Sequence, residues 1–214
     1  MIQILGLRDF VDKRSGSQRK REVFFNKGWR LEQVEDVFNE EKLNALLDQV
    51  PDAEKYNLYY TVANCYEEEG RKLKEQFVIP FDIDGIYIEE GNENASATKV
   101  IQAAVDAIGV PFSSAASVFS GNGVQLFIRL KNPIVDPTFF DATRQQYGVL
   151  VSKINSKLLE LGLEGKADPA VWSRGRLMRL PNTENRKPGK PVRMARIVNP
   201  TMVEGDFDLS PRIS

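Results

Sequence analysis

Residues 77–84 read FVIPFDID, and residues 115–130 read AASVFSGNGVQLFIRL. The first run is apolar until its last three residues, which predicts a strand ending at Asp82 and Asp84. Pro80 has no N–H to give to a ladder, so the strand is expected to be at an edge or irregular there. The second run is two apolar, β-branched stretches around SGNG, a hairpin signal. Side chains alternate along a strand, so Asp82 and Asp84 leave the same face with Cα atoms roughly 6.5–7 Å apart. That spacing lets both carboxylates reach one metal ion, or bracket a pair about 3.5–4 Å apart. Taken alone, an Asp-x-Asp is more often the solvated end of a strand with two surface acids.

Outward from these runs the order is mixed. Residues 12–28 are polar and basic and read as a mobile loop or arm. Leu31, Val34, Phe38, Leu43, Leu46, Leu47 and Val50 recur at near-helical spacing and stop at Pro51. Residues 57–65, NLYYTVANC, predict a strand, and 67–75 a charged loop. Residues 95–108 predict a helix stopped by Gly109, and 137–161 a long amphipathic helix ended by Gly162. Two late strands are expected at 176–180 and 192–198, joined by the basic loop NTENRKPGK. Hairpins beside helices favour α+β over a doubly wound parallel sheet.

Composition removes several chemistries. The 214 residues contain no histidine and one cysteine, Cys65. Internal disulfides, His-dependent triads and Cys/His zinc sites are therefore excluded. Hydrophobic residues make up 42% and charged residues 28%, a globular balance. No apolar run approaches the roughly 20 residues that span a bilayer, and an intracellular, cytoplasmic protein with no membrane partner is expected. The formal net charge is only −1, but the cations are clustered. One cluster lies at 12–30, with Arg14, Arg19, Lys20 and Arg21, and another at 174–196, with Arg176, Arg179, Arg186 and Lys187. This distribution predicts a basic cleft opposite an acidic back.

Three further features bear on chemistry. The glycines of Ser120-Gly121-Asn122-Gly123 let backbone approach a ligand and turn N–H groups toward an anion, although a plain hairpin turn explains them too. Asp168, in KADPAVW, is a candidate third acid or simply a turn-forming Asp-Pro. The late Arg and Lys side chains are suited to a triphosphate or to a solvated loop.

Taken in order, these features resemble the archaeo-eukaryotic primase superfamily, in its primase-polymerase branch of phages, plasmids and mobile elements. VIPFDID matches the strand ending in Asp-x-Asp, SGNGVQLFI the Ser-Gly-x-Gly-x-His segment, Asp168 the third acid, and RLMRLPNTENRKPG the Arg-rich strand and basic loop. The match runs from Phe77 to about Arg196, and residues 1–56 carry no assignable motif. Gln125 stands where the family has histidine. An amide can donate a hydrogen bond but carries no positive charge.

The resemblance implies a single two-lobed catalytic domain over 1–214. An N-terminal α/β lobe would occupy about 1–110, and a lobe with an antiparallel, RNA-recognition-like sheet about 111–214. It implies a DNA primase or DNA polymerase using two Mg²⁺ or Mn²⁺ ions on Asp82, Asp84 and Asp168. Ser120, Gly121, Asn122, Gly123, Gln125, Arg179, Arg186 and Lys187 would hold the nucleotide. Arg14, Arg19, Lys20 and Arg21 would contact a single-stranded DNA template, and Trp29 would either stack on bases or pack partly buried in the fold. The implied partners are template, primer strand, NTPs or dNTPs, and a helicase in cis or trans. Relatives often carry helicase or zinc segments, so a piece of a longer protein is expected. Two rivals stand beside this reading: a non-catalytic replication-initiator module with a degenerate site, which Gln125 favours, and a metal-dependent nuclease or phosphohydrolase.

Overall fold

The computed structural model describes residues 2–11, 18–65, 73–203 and 209. The chain begins with β1 (Ile2–Val11) and β2 (Gln18–Leu31), an antiparallel pair whose register runs from Ile2 opposite Leu31 to Val11 opposite Gln18. A short 3-10 turn, Val34–Phe38, and α1 (Glu40–Leu47) follow. Then come β3 (Asn57–Thr61), β4 (Asn64–Cys65) and β5 (Leu73–Asp84). α2 (Glu93–Ile108) precedes the hairpin β6 (Ala115–Phe119) and β7 (Gly123–Ile134), and α3 (Phe139–Glu160) comes next. The last elements are short: β8 (Lys166–Ala167), β9 (Leu177–Arg179), β10 (Glu184–Asn185), β11 (Arg193–Met194) and β12 (Arg196–Asn199).

Two main sheets organise these elements, and every recorded strand pairing is antiparallel. One has four strands in the order β2-β1-β3-β9. The other has six, in the order β12-β6-β7-β5-β4 with β8 against the end of β5. The fold is α+β. Each sheet draws strands from both sides of residue 110: β5 joins β6, β7 and β12, while β9 returns to β3.

Alternation along the strands of the larger sheet explains the layering. Ile79, Phe81, Ile83, Val124, Leu126 and Ile128 point to one face, where α2 and α3 bury them in a first core cluster. Val78, Phe127, Ala116 and Val118 point to the other, where they pack with Ile4, Leu58, Tyr60 and Met178 of the four-stranded sheet. Asp82, Asp84 and Gln125 share the parity of this second face, so they emerge between the two sheets.

Pro80 is accommodated as its chemistry requires. β5 pairs with β7 along its length, but its other side meets β4 only at Leu73 and Glu75 and β8 only at Ile83 and Asp84. Between those contacts the Tyr147 hydroxyl donates to the Pro80 carbonyl at 2.8 Å. Tyr147 stacks between Phe81 and Trp172, with ring centroids 5.2 Å apart on each side.

Several expectations change. Residues 73–75 of the charged loop expected over 67–75 open β5. The late strand expected over 192–198 is split at Ala195 into β11, paired with β10, and β12, paired with β6. Residues 18–28 are not a loop but part of β2, because β1 supplies a partner strand that no local pattern reveals. The single helix expected from Leu31 to Val50 is a strand end, a 3-10 turn and an eight-residue helix; Asn39 breaks the run and caps α1 through its side chain on the Lys42 N–H at 3.1 Å. The strand expected over 57–65 is interrupted between Thr61 and Asn64. Residues 12–17 and 66–72 lie outside the described residues.

Tyr147→Phe keeps the ring stack but leaves the buried Pro80 carbonyl unpaired. It is expected to cost about 1–3 kcal/mol of stability, read as a lower urea midpoint at unchanged slope. An unchanged midpoint would contradict the role given to this hydroxyl.

Candidate active site

The acid pair owes its place to the β5–β7 register. Asp82 lies opposite Gln125, and Asp84 lies opposite Gly123. Position 123 must be glycine: a Cβ there would sit 2.3 Å from the Ile83 carbonyl oxygen and 3.1 Å from Asp84 Oδ1. Gly121 has φ +92°, and a Cβ there would press on Asn185 Cβ at 2.9 Å. The two glycines therefore let the turn close against β5 on one side and the late basic loop on the other. The turn itself is fixed by the Ser120 N–H donating to the Gly123 carbonyl at 2.9 Å.

Asp168 arrives by a short extension of the same sheet. β8 pairs with Ile83 and Asp84, and the next N–H, that of Asp168, donates to the Asp82 carbonyl at 3.0 Å. Its carboxylate caps the following turn, accepting from the Ala170 N–H at 2.8 Å, with Pro169 at the first turn position. Its other oxygen faces Arg176 Nη2 at 3.9 Å.

A cleft of about 320 Å³ opens over the pair. It is lined by Asp82, Asp84, Ser120 and Gln125 from β5 and the hairpin, and by Asn57, Tyr59, Arg176, Leu177, Arg179, Asn185 and Lys187. The structure thus brings six sequence-nominated residues together: Asp82, Asp84, Ser120, Gln125, Arg179 and Lys187. Asn122 instead borders an adjoining groove. Arg186 is exposed and paired with Glu184. Arg19, Lys20, Arg21 and Trp29 fall on β2, but their side chains, and all of Arg14, lie outside the described residues.

Electrostatics distinguish the two strand acids. Asp82 has its pKa pushed up to about 6, chiefly because burial disfavours its charge, and further by Asp84 and Asp168. Arg176 and a hydrogen bond from Gln125 oppose the rise. Gln125 lies opposite Asp82 in the β5–β7 register, close enough to favour the ionised carboxylate. Its Oε1 is buried with no hydrogen-bond partner.

Two oxygen donors with an excess of negative charge suit a hard divalent cation. Asp82 and Asp84 could hold one, since both carboxylates line the same cleft. Among the described residues, no group of three or more His, Cys, Asp or Glu side chains is placed to hold a metal. Asp168 is beside the pair through its backbone, while its carboxylate is turned to Ala170 and Arg176.

Several cleft residues had no signal in the sequence. Arg179 is buried and held from three sides: Nη1 donates to Asn57 Oδ1 at 2.8 Å, and Nη2 to the Tyr59 hydroxyl at 2.8 Å and to Asn185 Oδ1 at 3.1 Å. Its guanidinium also lies 4.3 Å from the centre of the Tyr59 ring. Asn57 additionally accepts from the Arg186 N–H at 2.8 Å and donates to the Arg186 carbonyl at 3.2 Å. Asn185 donates to the Ser120 carbonyl at 2.7 Å. Three remote segments are locked together by two asparagines and one arginine. A polar side chain at the start of a strand gives no hint of this until β9 pairs with β3.

The pH dependence has a definite sign. Asp82 binds its proton more tightly in the folded chain than at its ordinary value of 3.8. The resulting stabilisation is present below that value and is lost as pH rises through about 6. Asp82→Asn is therefore expected to gain stability relative to wild type between pH 4 and 7 in metal-free buffer, measured by urea unfolding; parallel curves would contradict the shift. Asn57→Ala is expected to lose hydrogen-exchange protection at the Arg186 amide and to cost about 1–3 kcal/mol through the hydrogen bonds lost to Arg179 and Arg186. Retained protection at Arg186 would show that the clamp is not needed.

No known family pattern matches this sequence, and no curated protein is significantly similar to it. Solved structures give partial likenesses. The chain is similar to the AEP domain of the cyanophage S-2L primase-polymerase, with 14% identity and a TM-score of 0.49 over 96% of this chain and 84% of that one. It is similar to the polymerase domain of Mycobacterium tuberculosis ligase D, solved in complex with DNA, with 11% identity and a TM-score of 0.43 over 91% of this chain and 63% of that one. It is also similar to primase RepB′, with 15% identity and a TM-score of 0.37, covering 92% of this chain and 50% of that one.

Proposed function

We propose that this chain is a template-directed nucleotidyltransferase, a DNA primase or DNA polymerase acting on NTPs or dNTPs. One observation carries the reading: a single cleft joins the Asp82 and Asp84 carboxylates to the cationic groups of Arg176, Arg179 and Lys187. A carboxylate pair alone would suit any cation, and a basic cleft alone any anion. Their apposition suits a polyanion that reacts together with a divalent cation, as a nucleoside triphosphate does.

The residues divide the work by their surroundings. Arg179, fixed by Asn57, Tyr59 and Asn185, offers positive charge that needs no rearrangement when phosphate arrives. Lys187 is exposed at the cleft rim and provides a flexible point charge for the outer phosphates. The Ser120 hydroxyl lines the opposite wall as a further donor. Gln125 favours the ionised form of Asp82 and so keeps that carboxylate available as an oxygen donor. Gly121 and Gly123 act by admitting the turn close to β5 and Asn185. Arg176 lines the same cleft, faces Asp168 and lowers the proton affinity of Asp82. Mg²⁺ or Mn²⁺, held by Asp82 and Asp84 with Asp168 adjoining, would supply the charge neutralisation that the triphosphate needs. In the reaction, the 3′-oxygen of the acceptor strand bonds to the α-phosphorus as the α–β bridging bond breaks. The bridging electron pair leaves with pyrophosphate, and the hydroxyl proton passes to solvent.

A second reading has its own support. Gln125 in place of a cation, and Arg176 facing Asp168, are what a non-catalytic nucleic-acid-binding module would keep. Synthesis separates the two. With single-stranded template, labelled dNTPs or NTPs and Mn²⁺, the wild type is expected to make oligomers or extend a primer. Asp82→Ala/Asp84→Ala is expected to reduce this at least 10³-fold, on the order of the loss of a transition-state charge partner, while circular dichroism stays native. Equal synthesis by the double variant would overturn the assignment, and template binding without synthesis by wild type would favour the binding module.

A further inference from the structure

The three acids do not converge as one ligand set. Asp168 engages the Ala170 N–H with one carboxylate oxygen, at 2.8 Å, and turns the other to Arg176 Nη2 at 3.9 Å. Arg176 in turn lines the cleft with Asp82 and Asp84, and its charge acts on Asp82. The backbone fixes its place. It stands one residue before β9, and its carbonyl accepts from the Val62 N–H at 3.1 Å. Its Nε is buried with no hydrogen-bond partner, a donor left over beside the acids. A guanidinium stays charged at every working pH and presents its N–H groups as a rigid fork. It can therefore face a carboxylate on one edge and a phosphate oxygen on another, as a bridging metal ion does. Charge balance points the same way. Three ionised carboxylates and one guanidinium leave two negative charges, which a single divalent ion cancels. A second divalent ion would have to enter beside a fixed positive group.

We propose that Arg176 is the built-in second cation of this centre, so that the cleft takes one divalent ion, on Asp82 and Asp84, and not two. The assignment rests on the nucleotidyltransferase reading and departs from the ion pair that the sequence resemblance implies. Asp168 then acts as a positioning residue: it holds the guanidinium toward the acid pair and is not itself a metal ligand. The free Nε–H of Arg176 is the donor that reaches a phosphate oxygen of the triphosphate.

The test is Mn²⁺ binding to the full chain, followed by calorimetry and by electron paramagnetic resonance, with and without a non-hydrolysable dNTP analogue. Wild type is expected to bind one Mn²⁺ in both conditions, with the hyperfine spectrum of an isolated ion. Arg176→Ser should admit a second Mn²⁺ in the presence of analogue, giving the broadened spectrum of a spin-coupled pair. Arg176→Lys, which keeps the charge, should stay at one ion. Asp168→Asn should lower Mn²⁺ affinity by less than the roughly ten-fold that loss of a metal partner costs. A coupled pair on wild type, or no bound ion, would overturn the proposal. So would a single ion on natively folded Arg176→Ser, or a loss beyond ten-fold in Asp168→Asn. If circular dichroism shows Arg176→Ser to be misfolded, the wild-type count and Asp168→Asn decide. A wild type that holds one Mn²⁺ but makes no product on a template leaves the one-ion centre standing and ends the nucleotidyltransferase reading. A wild type that synthesises with a coupled pair bound ends the one-ion centre alone.

Discussion

The pairing of β5 with β7 is the constraint on which the site depends. It places Asp84 against Gly123 so closely that any side chain at 123 would strike the Ile83 carbonyl. It also puts Gln125 beside Asp82, where an amide can donate to a carboxylate that burial would otherwise keep protonated nearer neutral pH. Slipping this register by one residue would turn the acids into the helix-covered core and send Phe81 and Ile83 into the cleft. The apolar cluster under α2 and α3 therefore fixes the orientation of the acids as firmly as any contact in the cleft.

The rest of the site is assembled onto this pair by long-range connections. β8 brings Asp168 to the end of β5, and the Phe81–Tyr147–Trp172 stack holds the segment that follows. β9 crosses to the other sheet and places Arg179 against Asn57 and Tyr59. Asn185 bridges that arginine to the Ser120 carbonyl. The result is an acidic wall carried by one sheet and a basic wall carried largely by segments anchored to the other. Among the described residues, no helix is long and apolar enough to cross a membrane.

What could be read in advance followed the range of the interaction. The strand ending in Asp82 and Asp84, the SGNG hairpin, and the helices stopped by Gly109 and Gly162 are each encoded within about 20 residues, through alternation, turn chemistry and helix stops. The β1–β2 pair was not legible, because a polar basic strand looks like a loop until its partner is known. Asn57 and Asn185 gave no local signal either; their significance arises only once β3, β9 and the hairpin meet. Gln125 is intermediate. Its position was marked by the motif, but its place beside Asp82 depended on which residue of β5 lay opposite.

The central claim is that the acid wall and the basic wall act on one ligand, a nucleoside triphosphate held together with a divalent cation. Calorimetric titration of a non-hydrolysable dNTP analogue into the chain, with Mn²⁺ and again with chelator, tests it most directly. The account predicts binding that strengthens at least about ten-fold when Mn²⁺ is present, with the analogue tightening Mn²⁺ binding by the same factor, as linkage requires. Analogue binding of equal strength in chelator, or none in either condition, would contradict it.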